Sequence, residues 1–582
     1  MEKSFRDGKI VARGQFWEDV VFDVCANDLR VTFDGKGGVT NYSVCNRVGS
    51  YLRRSFLNLF VNGEKLDAFA EKTVEMIGRT QKIVLEKGDL TITVFQFIPL
   101  CGTALFYEIT ASEGGKYDVV YDLGQAKKGF QYAADVENEY VPENVSVYLH
   151  TDRSARFVFS YDVEPSYCEE MLSRFSEIKG QIVGEYENVK IPGSAKTEKD
   201  KALYLSSVFC ALENYQEAGD YKGFAAGCNY TAPLRTYFRD SYWTVLSMYK
   251  EHPDLVRNQI LTLAHGIDEN GDCPSAVTFE LKQHWPNHYD SPSFFVLMVY
   301  DYLNRTGDFS LLSETVNGRT VYDCCLFVVD KLSGYEDETH LIVKDGKYNK
   351  RDWADEVNRV GYVTYLELLY ARALFCLSRI VGKRGNESLA RRYYAAFERT
   401  KDAINALLWN EEKGYYINYR SGDFVEDNLS VDTVLAVLFG ISDKRRSARL
   451  LDGISGLLES RNNQNQRAGD FGVMSVFPFY RGLDRSYNKS SQDYEYHNGA
   501  VWPYLSALVA YAQMRNGRDY SYALLSSFDW NVAKGNYTPI EYYSPIRPDG
   551  SLLQAWSSDV AWVYDWRDVD FYSENDAVWK KD

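Results

Sequence analysis

The sequence predicts a mainly α protein in which an N-terminal antiparallel β-sandwich precedes an (α/α)6 barrel. Two patterns along the 582 residues indicate this architecture. Short β-rich runs between turn signals fill about the first third, and about twelve helical segments with short connections fill the rest. Because consecutive helices with short connections pack as antiparallel neighbours, twelve of them would form two concentric rings of six. The predicted divisions are a β-sandwich domain at 1–185, a linker at 186–198 and a barrel domain at 199–582.

The β-rich part contains runs such as DLTITVFQFIPL, ALFYEITAS and ARFVFSYDV, which are rich in β-branched and aromatic residues. Strands do not alternate with helical patterns there, which favours an antiparallel sandwich over a parallel, nucleotide-binding sheet. The glycines of FDGKGGVTN predict a hairpin, since no helical pattern follows them as it would after a phosphate-binding loop.

The barrel part contains the predicted helical segments, of which the even-numbered ones would form the inner ring. N-terminal ends of inner helices lie at the same end of such a barrel, so residues at these starts should meet in one pit. The predicted segments are 199–217, 240–252, 254–268, 290–306, 309–334, 361–382, 385–408, 429–441, 444–460, 497–516, 518–531 and 556–567.

Composition restricts the partners and the compartment. The formal net charge of −17 argues against nucleic acid and an anionic membrane surface, while 45 Tyr and 11 Trp suit stacking on a flat, hydroxyl-rich ligand. The ten cysteines show neither a CxxC motif nor a repeating spacing, which predicts free thiols in a reducing compartment. The first residues lack the apolar core of a signal peptide and no apolar run approaches a membrane span, so we expect a cytoplasmic protein.

Chemically unusual residues gather at the predicted starts of the inner helices. Each start contributes Trp, His, Arg or an acid, and their common position in the barrel predicts that they surround one pit. The converging residues are Arg239, Asp240, Trp243, His284, Trp285, Asp290, Asp355, Arg359, His497, Trp502 and Trp556.

The segment RDWADEVNR at 351–359 groups three acids around Trp353. Cleavage of a glycosidic bond needs one protonated carboxyl group and a second, ionised one. An aromatic neighbour and nearby acids raise the proton affinity of a carboxylate, which makes Asp355 the candidate acid, with Asp352 and Glu356 as competing candidates. The alternative is an exposed helix start, whose acids complement the helix dipole.

The second carboxylate is expected elsewhere on the rim. The loop TPIEYYSPIRPDG before the last helix contains Glu541 among aromatic residues and is punctuated by Pro and Gly. From the residues alone, Glu541 is either that carboxylate or an exposed loop acid.

Four motifs in order carry a family resemblance: RDSYW at 239–243, WADEVNR at 353–359, NGAVWPY at 498–504, and IEYYSPIRPDG at 540–550 followed by AWSSD. Their order resembles the (α/α)6 glycosidases related to processing α-glucosidase I, neutral trehalase and the amylo-α-1,6-glucosidase part of debranching enzymes. The resemblance covers about residues 199–567. It implies a general acid at Asp355, a general base at Glu541 and a substrate-contacting arginine at Arg359.

The resemblance implies an inverting, exo-acting glycoside hydrolase for α-linked glucosides or small oligosaccharides, with neither a metal nor an organic cofactor. Its sugar pocket would be shaped by side chains from several helix starts. The expected substrate-binding residues are Arg239, Asp240, Trp243, Trp285, Asp290, Trp353, Arg359, His497, Trp502 and Trp556.

Two alternatives stay open. WADEVNRVG also resembles the acid segment of cellobiose-type phosphorylases, in which phosphate replaces the second carboxylate, and His284, His288 and His497 would then supply donors to phosphate. A barrel that binds carbohydrate without turning it over is the non-enzymatic alternative. The HWPNH segment has no third ligand at metal spacing, so we expect no metal site.

Overall fold

The computed structural model describes residues 2–14, 20–44, 54–66, 71–123, 129–227, 233–345, 351–480, 488–567 and 579. Strands fill most of the first 161 positions, and helices with short intervening strands fill the remainder. The N-terminal strands are β1 (Glu2–Arg6), β2 (Lys9–Gly14), β3 (Phe22–Cys25), β4 (Leu29–Phe33), β5 (Val39–Val44), β6 (Phe56–Val61), β7 (Glu64–Lys65), β8 (Glu71–Ile77), β9 (Thr80–Lys87), β10 (Leu90–Phe97), β11 (Leu105–Ala111), β12 (Tyr117–Asp122), β13 (Phe130–Ala134), β14 (Glu137–Val141), β15 (Ser146–Thr151) and β16 (Ser154–Tyr161).

These strands form a larger sheet in the order β1-β2-β8-β9-β10-β11-β16-β13, a second sheet in the order β14-β15-β12-β6-β7, and a smaller β3-β4-β5 sheet. The larger sheets face each other across an aromatic core. The hydroxyls of Tyr107 in β11 and Tyr121 in β12 lie 2.9 Å apart, and Phe157 and Phe159 of β16 pack against these rings. The described residues therefore contain the antiparallel β-rich N-terminal region that the sequence predicts.

The glycine-rich stretch after β4 is a hairpin turn, as predicted. Strands β4 and β5 pair antiparallel, and the Asp34 carboxylate accepts hydrogen bonds from the backbone N–H groups of Lys36 (2.7 Å) and Gly38 (2.9 Å). Gly37 has φ +84°, a conformation that glycine adopts without steric cost.

Two helices that the sequence analysis did not predict follow β16: α1 (Pro165–Ser173) and α2 (Phe175–Glu187). The apolar residues Phe175, Ile178 and Ile182 recur at helical spacing and pack on the outer face of the larger sheet. Since α2 ends at Glu187 and the next helix begins at Glu198, we propose that the domain division lies in the predicted linker, 186–198.

Each of the twelve predicted helical segments contains one α-helix in the described structure. No helix in the described ranges has both the length and the apolar character that a membrane crossing requires. The helices are α3 (Glu198–Asn214), α4 (Phe238–Val245), α5 (Pro253–Ala264), α6 (Ser291–Thr306), α7 (Val321–Ser333), α8 (Thr364–Lys383), α9 (Glu387–Leu407), α10 (Leu435–Leu438), α11 (Lys444–Gly453), α12 (Pro503–Arg515), α13 (Ser521–Ala533) and α14 (Val560–Asp565).

The even-numbered helices from α4 to α14 form the inner ring. In this ring α6 lies beside α4 and α8, α10 beside α8 and α12, and α14 beside α12, while the 3-10 turn Ala555–Asp559 before α14 contacts α4. Burial separates the rings: α12 is buried from Pro503 to Gln513, whereas α9 buries only Tyr393, Phe397, Thr400 and Ile404 on one face. The helices thus have the arrangement of an (α/α)6 barrel.

The helix and strand content is mixed, which corrects the prediction of a mainly α protein. Short strands pair between the barrel helices as well as in the N-terminal region, because the connections at the rim are long enough to fold into hairpins. These strands are β17 (Tyr215–Ala218), β18 (Tyr221–Phe224), β19 (Arg235–Tyr237), β20 (Ala276–Thr278), β21 (Gln283–His284), β22 (Thr315–Val316), β23 (Arg319–Thr320), β24 (Tyr362–Val363), β25 (Trp409–Asn410), β26 (Tyr415–Tyr416), β27 (Tyr419–Ser421), β28 (Phe424–Glu426), β29 (Leu429–Ser430) and β30 (Val476–Phe477).

Two predicted helix bounds are wrong in an informative way. Helix α12 begins at Pro503, six residues after the predicted start at 497, because Pro is favoured at the first helical position and the preceding backbone bridges to neighbouring loops. The segment predicted over 309–334 begins with a 3-10 turn at Phe309–Ser313 and a β22–β23 hairpin before α7.

The β-rich region supports the loop that carries Glu541. The N–H of Val21 donates to the carbonyl of Gly535 (2.9 Å), and the N–H of Tyr537 donates back to the carbonyl of Val21 (2.9 Å). The N–H of Asp23 donates to the Thr538 hydroxyl (2.8 Å). The loop before α14 is therefore held from outside the barrel by backbone hydrogen bonds.

Candidate active site

The N-terminal ends of the inner helices meet at one end of the barrel and bring aromatic side chains from three of them together. The Trp502 ring lies 5.7 Å from that of Trp353 and 5.6 Å from that of Trp556. His497 stacks on Trp502 at 4.9 Å with an interplanar angle of 10°, and the Arg239 guanidinium lies 5.7 Å from the centre of Trp556. These five predicted site residues form one cluster.

Three tyrosines that the sequence analysis missed complete the aromatic lining. The Tyr496 ring lies 4.8 Å from Trp502, the Tyr542 ring 5.3 Å from Trp502, and Tyr504 stacks on Trp556 at 4.4 Å. Tyr504 and Tyr542 belong to the motifs quoted above, and Tyr496 lies two residues before one of them. Their position in the sequence could therefore have indicated them as site residues.

Arg239 is held in place by Asp290, which lies behind it. The Arg239 Nη1 donates to Asp290 Oδ2 (3.0 Å), to which the Tyr365 hydroxyl also donates (3.3 Å), and His288 Nδ1 lies 3.1 Å from Asp290 Oδ1. Burial favours the neutral acid, but the Arg239 charge and the His288 hydrogen bond outweigh it and lower the pKa of Asp290. Asp290 is fully buried with both oxygens engaged, so it orients Arg239.

Asp240 is a buried carboxylate in the same cluster. Its Oδ2 lies 3.7 Å from Arg239 Nε and has no hydrogen-bond partner among the described residues. Burial, with the charge of Glu541 adding to it and that of Arg239 opposing it, raises the pKa of Asp240 to about 6. A buried carboxylate oxygen without a partner is suited to accept a hydrogen bond from a bound hydroxyl group.

The acidic segment 351–359 is anchored by a buried ionic network. Arg359 Nη2 donates to Asp352 Oδ1 (2.7 Å), and Arg359 Nη1 donates to Asp432 Oδ2 (2.9 Å). Lys344 Nζ donates to Asp352 Oδ2 (2.5 Å), and the Trp353 indole N–H donates to Asp432 Oδ2 (2.5 Å). The two cations and two carboxylates are all essentially inaccessible to solvent, and together they balance in charge.

This network decides between two of the candidate acids. Burial would favour a neutral Asp352, but the Arg359 and Lys344 charges and hydrogen bonds outweigh it and hold its pKa below the usual range. Asp352 is therefore ionised and has no proton to donate. Arg359 faces inward to Asp352, Asp432 and Asn418 with none of its side chain exposed, so these contacts anchor the acid segment.

Asp355 lies in the same segment but projects into a different environment. Its side chain is partly exposed, and burial is the largest influence on it. The charge of Arg239 opposes the effect of burial, while the charges of Glu356 and Glu541 reinforce it, and together they raise the pKa of Asp355 to about 7. A carboxyl group with this pKa retains its proton near neutral pH and can donate it.

Glu541 lies in the loop before the last turn of the barrel, and the loop closes on itself around it. The Glu541 N–H donates to the Ser551 carbonyl (2.9 Å), the Ser551 N–H donates to Glu541 Oε2 (3.3 Å), and the Tyr496 hydroxyl donates to Glu541 Oε1 (3.3 Å). The side chain is 7% exposed, and burial raises its pKa, opposed by the Ser551 hydrogen bond and the Lys489 charge. The charge of Glu541 raises the pKa of both Asp240 and Asp355, which indicates that the two carboxyl groups lie near Glu541.

The two remaining predicted tryptophans differ in burial. Trp243 is buried against Tyr242 (4.8 Å), Phe294 (5.7 Å) and Tyr504 (6.0 Å), so it packs behind the aromatic lining instead of facing a ligand. Trp285 is 51% exposed and has φ +52°, which costs a bulky residue about 1–3 kcal/mol.

Several polar atoms of the cluster are buried without a hydrogen-bond partner in the described part of the chain. Such atoms are the ones that a hydroxyl-rich ligand would satisfy. Within the same part, no three His, Cys, Asp or Glu side chains group as a metal ion would require. The unpartnered atoms are Arg239 Nε, Asp240 Oδ2, His497 Nδ1 and Nε2, Tyr504 Oη and Trp556 Nε1.

Comparison with known proteins finds a family match and similar proteins. Residues 329–557, which carry Asp355 and Glu541, match the family of the mannosylglycerate hydrolase MGH1-like glycoside hydrolase domain. The matched range covers less than half of the 582 residues. A bacterial glucoamylase solved in complex with acarbose shares the fold of this chain, with a TM-score of 0.62 and 12% identity over 98% of this chain and 99% of that one.

Curated relatives of this chain match over parts of their length. The periplasmic trehalase of Escherichia coli K12 is 21% identical over 350 residues, which are 50% of this chain and 58% of that protein. The cellobionic acid phosphorylase of Neurospora crassa is 28% identical over 194 residues, 31% of this chain and 23% of that protein. The matches thus span less than two thirds of these relatives.

Proposed function

We propose that this protein is an inverting, exo-acting glycoside hydrolase for α-linked glucosides or small oligosaccharides, with Asp355 as the general acid and Glu541 as the general base. The observation that carries the proposal is the pair of carboxyl groups in one pit with different environments. Burial and neighbouring acids raise the pKa of Asp355 to about 7. Burial also raises the pKa of Glu541, but hydrogen bonds from Ser551 and Tyr496 and the charge of Lys489 oppose this effect and favour the ionised form.

The proposed reaction is a single displacement. Asp355 transfers its proton to the glycosidic oxygen as the bond between this oxygen and the anomeric carbon breaks. Glu541 takes a proton from a water molecule, whose oxygen attacks the anomeric carbon from the opposite face. The products are the leaving alcohol and a sugar of inverted anomeric configuration. The reaction leaves Asp355 ionised and Glu541 protonated. Glu541 then releases a proton to solvent and Asp355 takes one up, which restores the enzyme for the next cycle.

The pocket residues supply orientation. Arg239 and Asp240 offer a donor and an acceptor that are buried without hydrogen-bond partners among the described residues, and His497 and Trp556 offer further ones. The tryptophans Trp353, Trp502 and Trp556 exclude water around the ring. Arg359 acts indirectly, because it fixes the segment that carries Asp355.

The relatives support the proposed substrate and also one alternative reaction. A trehalase supports an α-linked glucoside, and the MGH1-like family description adds mannosylglycerate as a compound to test. The Neurospora crassa phosphorylase supports the second candidate, transfer of the glycosyl group to phosphate. In that reaction phosphate takes the place of the attacking water and Glu541 is not needed.

One NMR experiment tests the proposed function and distinguishes hydrolysis from transfer to phosphate. Purified protein is incubated with trehalose, maltose, isomaltose, cellobiose, lactose, an α-linked mannobiose and mannosylglycerate, each with and without inorganic phosphate. We expect early release of the β-anomer of the free sugar from one α-linked compound, at a rate independent of phosphate. Release of a sugar phosphate that requires phosphate would favour the phosphorylase. Retention of the α configuration at the anomeric carbon that is attacked would contradict inversion.

The pH dependence of kcat is a second prediction. Since Asp355 must be protonated, kcat should fall as the pH rises through about 7, the pKa of this group. Since Glu541 must be ionised and burial raises its pKa above the usual value, kcat should also fall on the acidic side, at a higher pH than an exposed glutamate would give. A Glu541→Gln variant should lack the acidic limb in its residual activity. A profile that is flat from pH 6 to 9 would contradict the assignment of Asp355.

A further inference from the structure

The rings of Tyr237, His284 and Trp285 form a cluster at the start of α4, in which Tyr237 is buried and Trp285 is exposed. Strands β19, β20 and β21 pair side by side, with Tyr237 opposite Ala276 and Ala276 opposite His284, so Tyr237 and His284 project from the same face. Their ring centres are 6.4 Å apart. The Trp285 ring lies 4.7 Å from His284 and 6.3 Å from Tyr237.

Core packing does not explain Trp285. The side chain is 51% exposed, and its backbone has a positive φ that bulky residues rarely adopt. The strain is imposed by the surroundings, since the Ser275 N–H donates to the Trp285 carbonyl (2.8 Å) and the Gln283 amide donates to the Gly266 carbonyl (2.9 Å). A strained position that presents a large aromatic ring to solvent indicates a ligand-binding role.

The cluster is connected to the proposed catalytic pit through Tyr237. This residue immediately precedes α4, two positions before Arg239 and three before Asp240, and the charges of both influence its hydroxyl. The Arg235 Nε donates to the Tyr237 hydroxyl (2.8 Å), and its guanidinium lies 5.6 Å from the Tyr237 ring centre. His284 Nε2 is buried and has no hydrogen-bond partner within the described residues.

We propose that Tyr237, His284 and Trp285 form a second sugar-binding subsite at the mouth of the pit, which takes the sugar ring on the leaving-group side. The exposed indole face provides the stacking surface that a pyranose ring requires, and Arg235 and His284 provide hydrogen-bonding groups at its edge. The preferred substrate is then a disaccharide or longer, not a glycoside of a small alcohol. The inference rests on the proposed hydrolase function.

The test compares two substrates in a Trp285→Ala variant. One is α-D-glucosyl fluoride, which fills the pit but leaves the second subsite empty, and the other is maltose. We expect the ratio of kcat/KM for maltose to that for the fluoride to fall about tenfold, which corresponds to about 1.4 kcal/mol. Trp285→Phe keeps an aromatic face and should retain the ratio within about threefold. Tyr394→Ala, at an exposed ring of the outer helix α9, is the matched control and should leave the ratio unchanged.

Each outcome decides the inference. An unchanged ratio in Trp285→Ala, or an equal loss for both substrates, would overturn the second subsite while leaving the hydrolase function in place. If wild-type protein hydrolyses neither compound, the α-glucosidase proposal fails and the subsite is judged by calorimetric titration of maltose. Weaker maltose binding to Trp285→Ala than to wild type would then support the subsite, and equal or absent binding would overturn it.

Discussion

Replacement of Asp355 by Asn is expected to lower kcat for a disaccharide by about 10²–10⁴-fold, the contribution of a positioned general acid. The amide has nearly the same shape as the carboxyl group but has no acidic proton to give to the glycosidic oxygen. Folding should be preserved, because Asp355 is partly exposed and the anchoring network uses Asp352, Arg359 and Asp432 instead. Steady-state kinetics together with circular dichroism of the variant measures both effects.

Comparing substrates with different leaving groups tests this prediction more specifically. Fluoride departs with little need for protonation, so Asp355→Asn should retain far more of its activity on α-D-glucosyl fluoride than on a disaccharide. Glu541→Gln should lose activity on both substrates, since attack by water is required in each case. An Asp355→Asn variant that loses activity equally on the two substrates would contradict its role as the acid.

Glu356→Gln is the matched control, because Glu356 is the neighbouring carboxylate that remains as a competing candidate. We expect this variant to keep kcat within about tenfold of wild type. The negative charge of Glu356 raises the pKa of Asp355, so its removal should move the basic limb of the pH profile to lower pH. A large loss in Glu356→Gln with retained activity in Asp355→Asn would transfer the role of acid to Glu356.

The sequence predicts the barrel well because the relevant information is local. Runs of helical periodicity show where α3 to α14 lie. The order of these helices then assigns them in turn to the outer and the inner ring. The meeting of Arg239, Trp353, Trp502 and Trp556 then follows from topology, since inner helices share an orientation. The bounds of α12 were less predictable, because bridges to distant loops decide where the backbone becomes helical.

The direction in which a side chain faces was beyond the sequence. Arg359 stands four residues after Asp355, and this spacing fits a substrate contact as well as a structural ion pair. The decision rests on Asp432 and Lys344, which are 73 and 15 positions away, belong to none of the motifs and were not predicted as site residues. Trp243 shows the same limit, since only packing against Phe294 and Tyr504 reveals that it lies behind the lining.

The buried network around Arg359 gives the largest expected effect on stability. Replacement of Arg359 by Met removes one positive charge and leaves Asp432 without a cationic partner among the described ion pairs, while Asp352 keeps only Lys344. Removal of one partner from a buried ion pair costs about 3–5 kcal/mol, because the remaining charge stays buried without compensation. We expect a lower urea midpoint for unfolding of the barrel, followed by circular dichroism.

A matched control and a second substitution decide whether charge is the cause. Arg392→Met removes an arginine of α9 that is 70% exposed and lies 4.0 Å from Asp330, so its cost should stay at about 0–1 kcal/mol. Adding Asp432→Asn to Arg359→Met removes the carboxylate that was left unpaired, so the double variant should be more stable than the sum of the two single losses. Strict additivity, or a loss in Arg359→Met no larger than that in Arg392→Met, would contradict the network as the anchor of the acid segment.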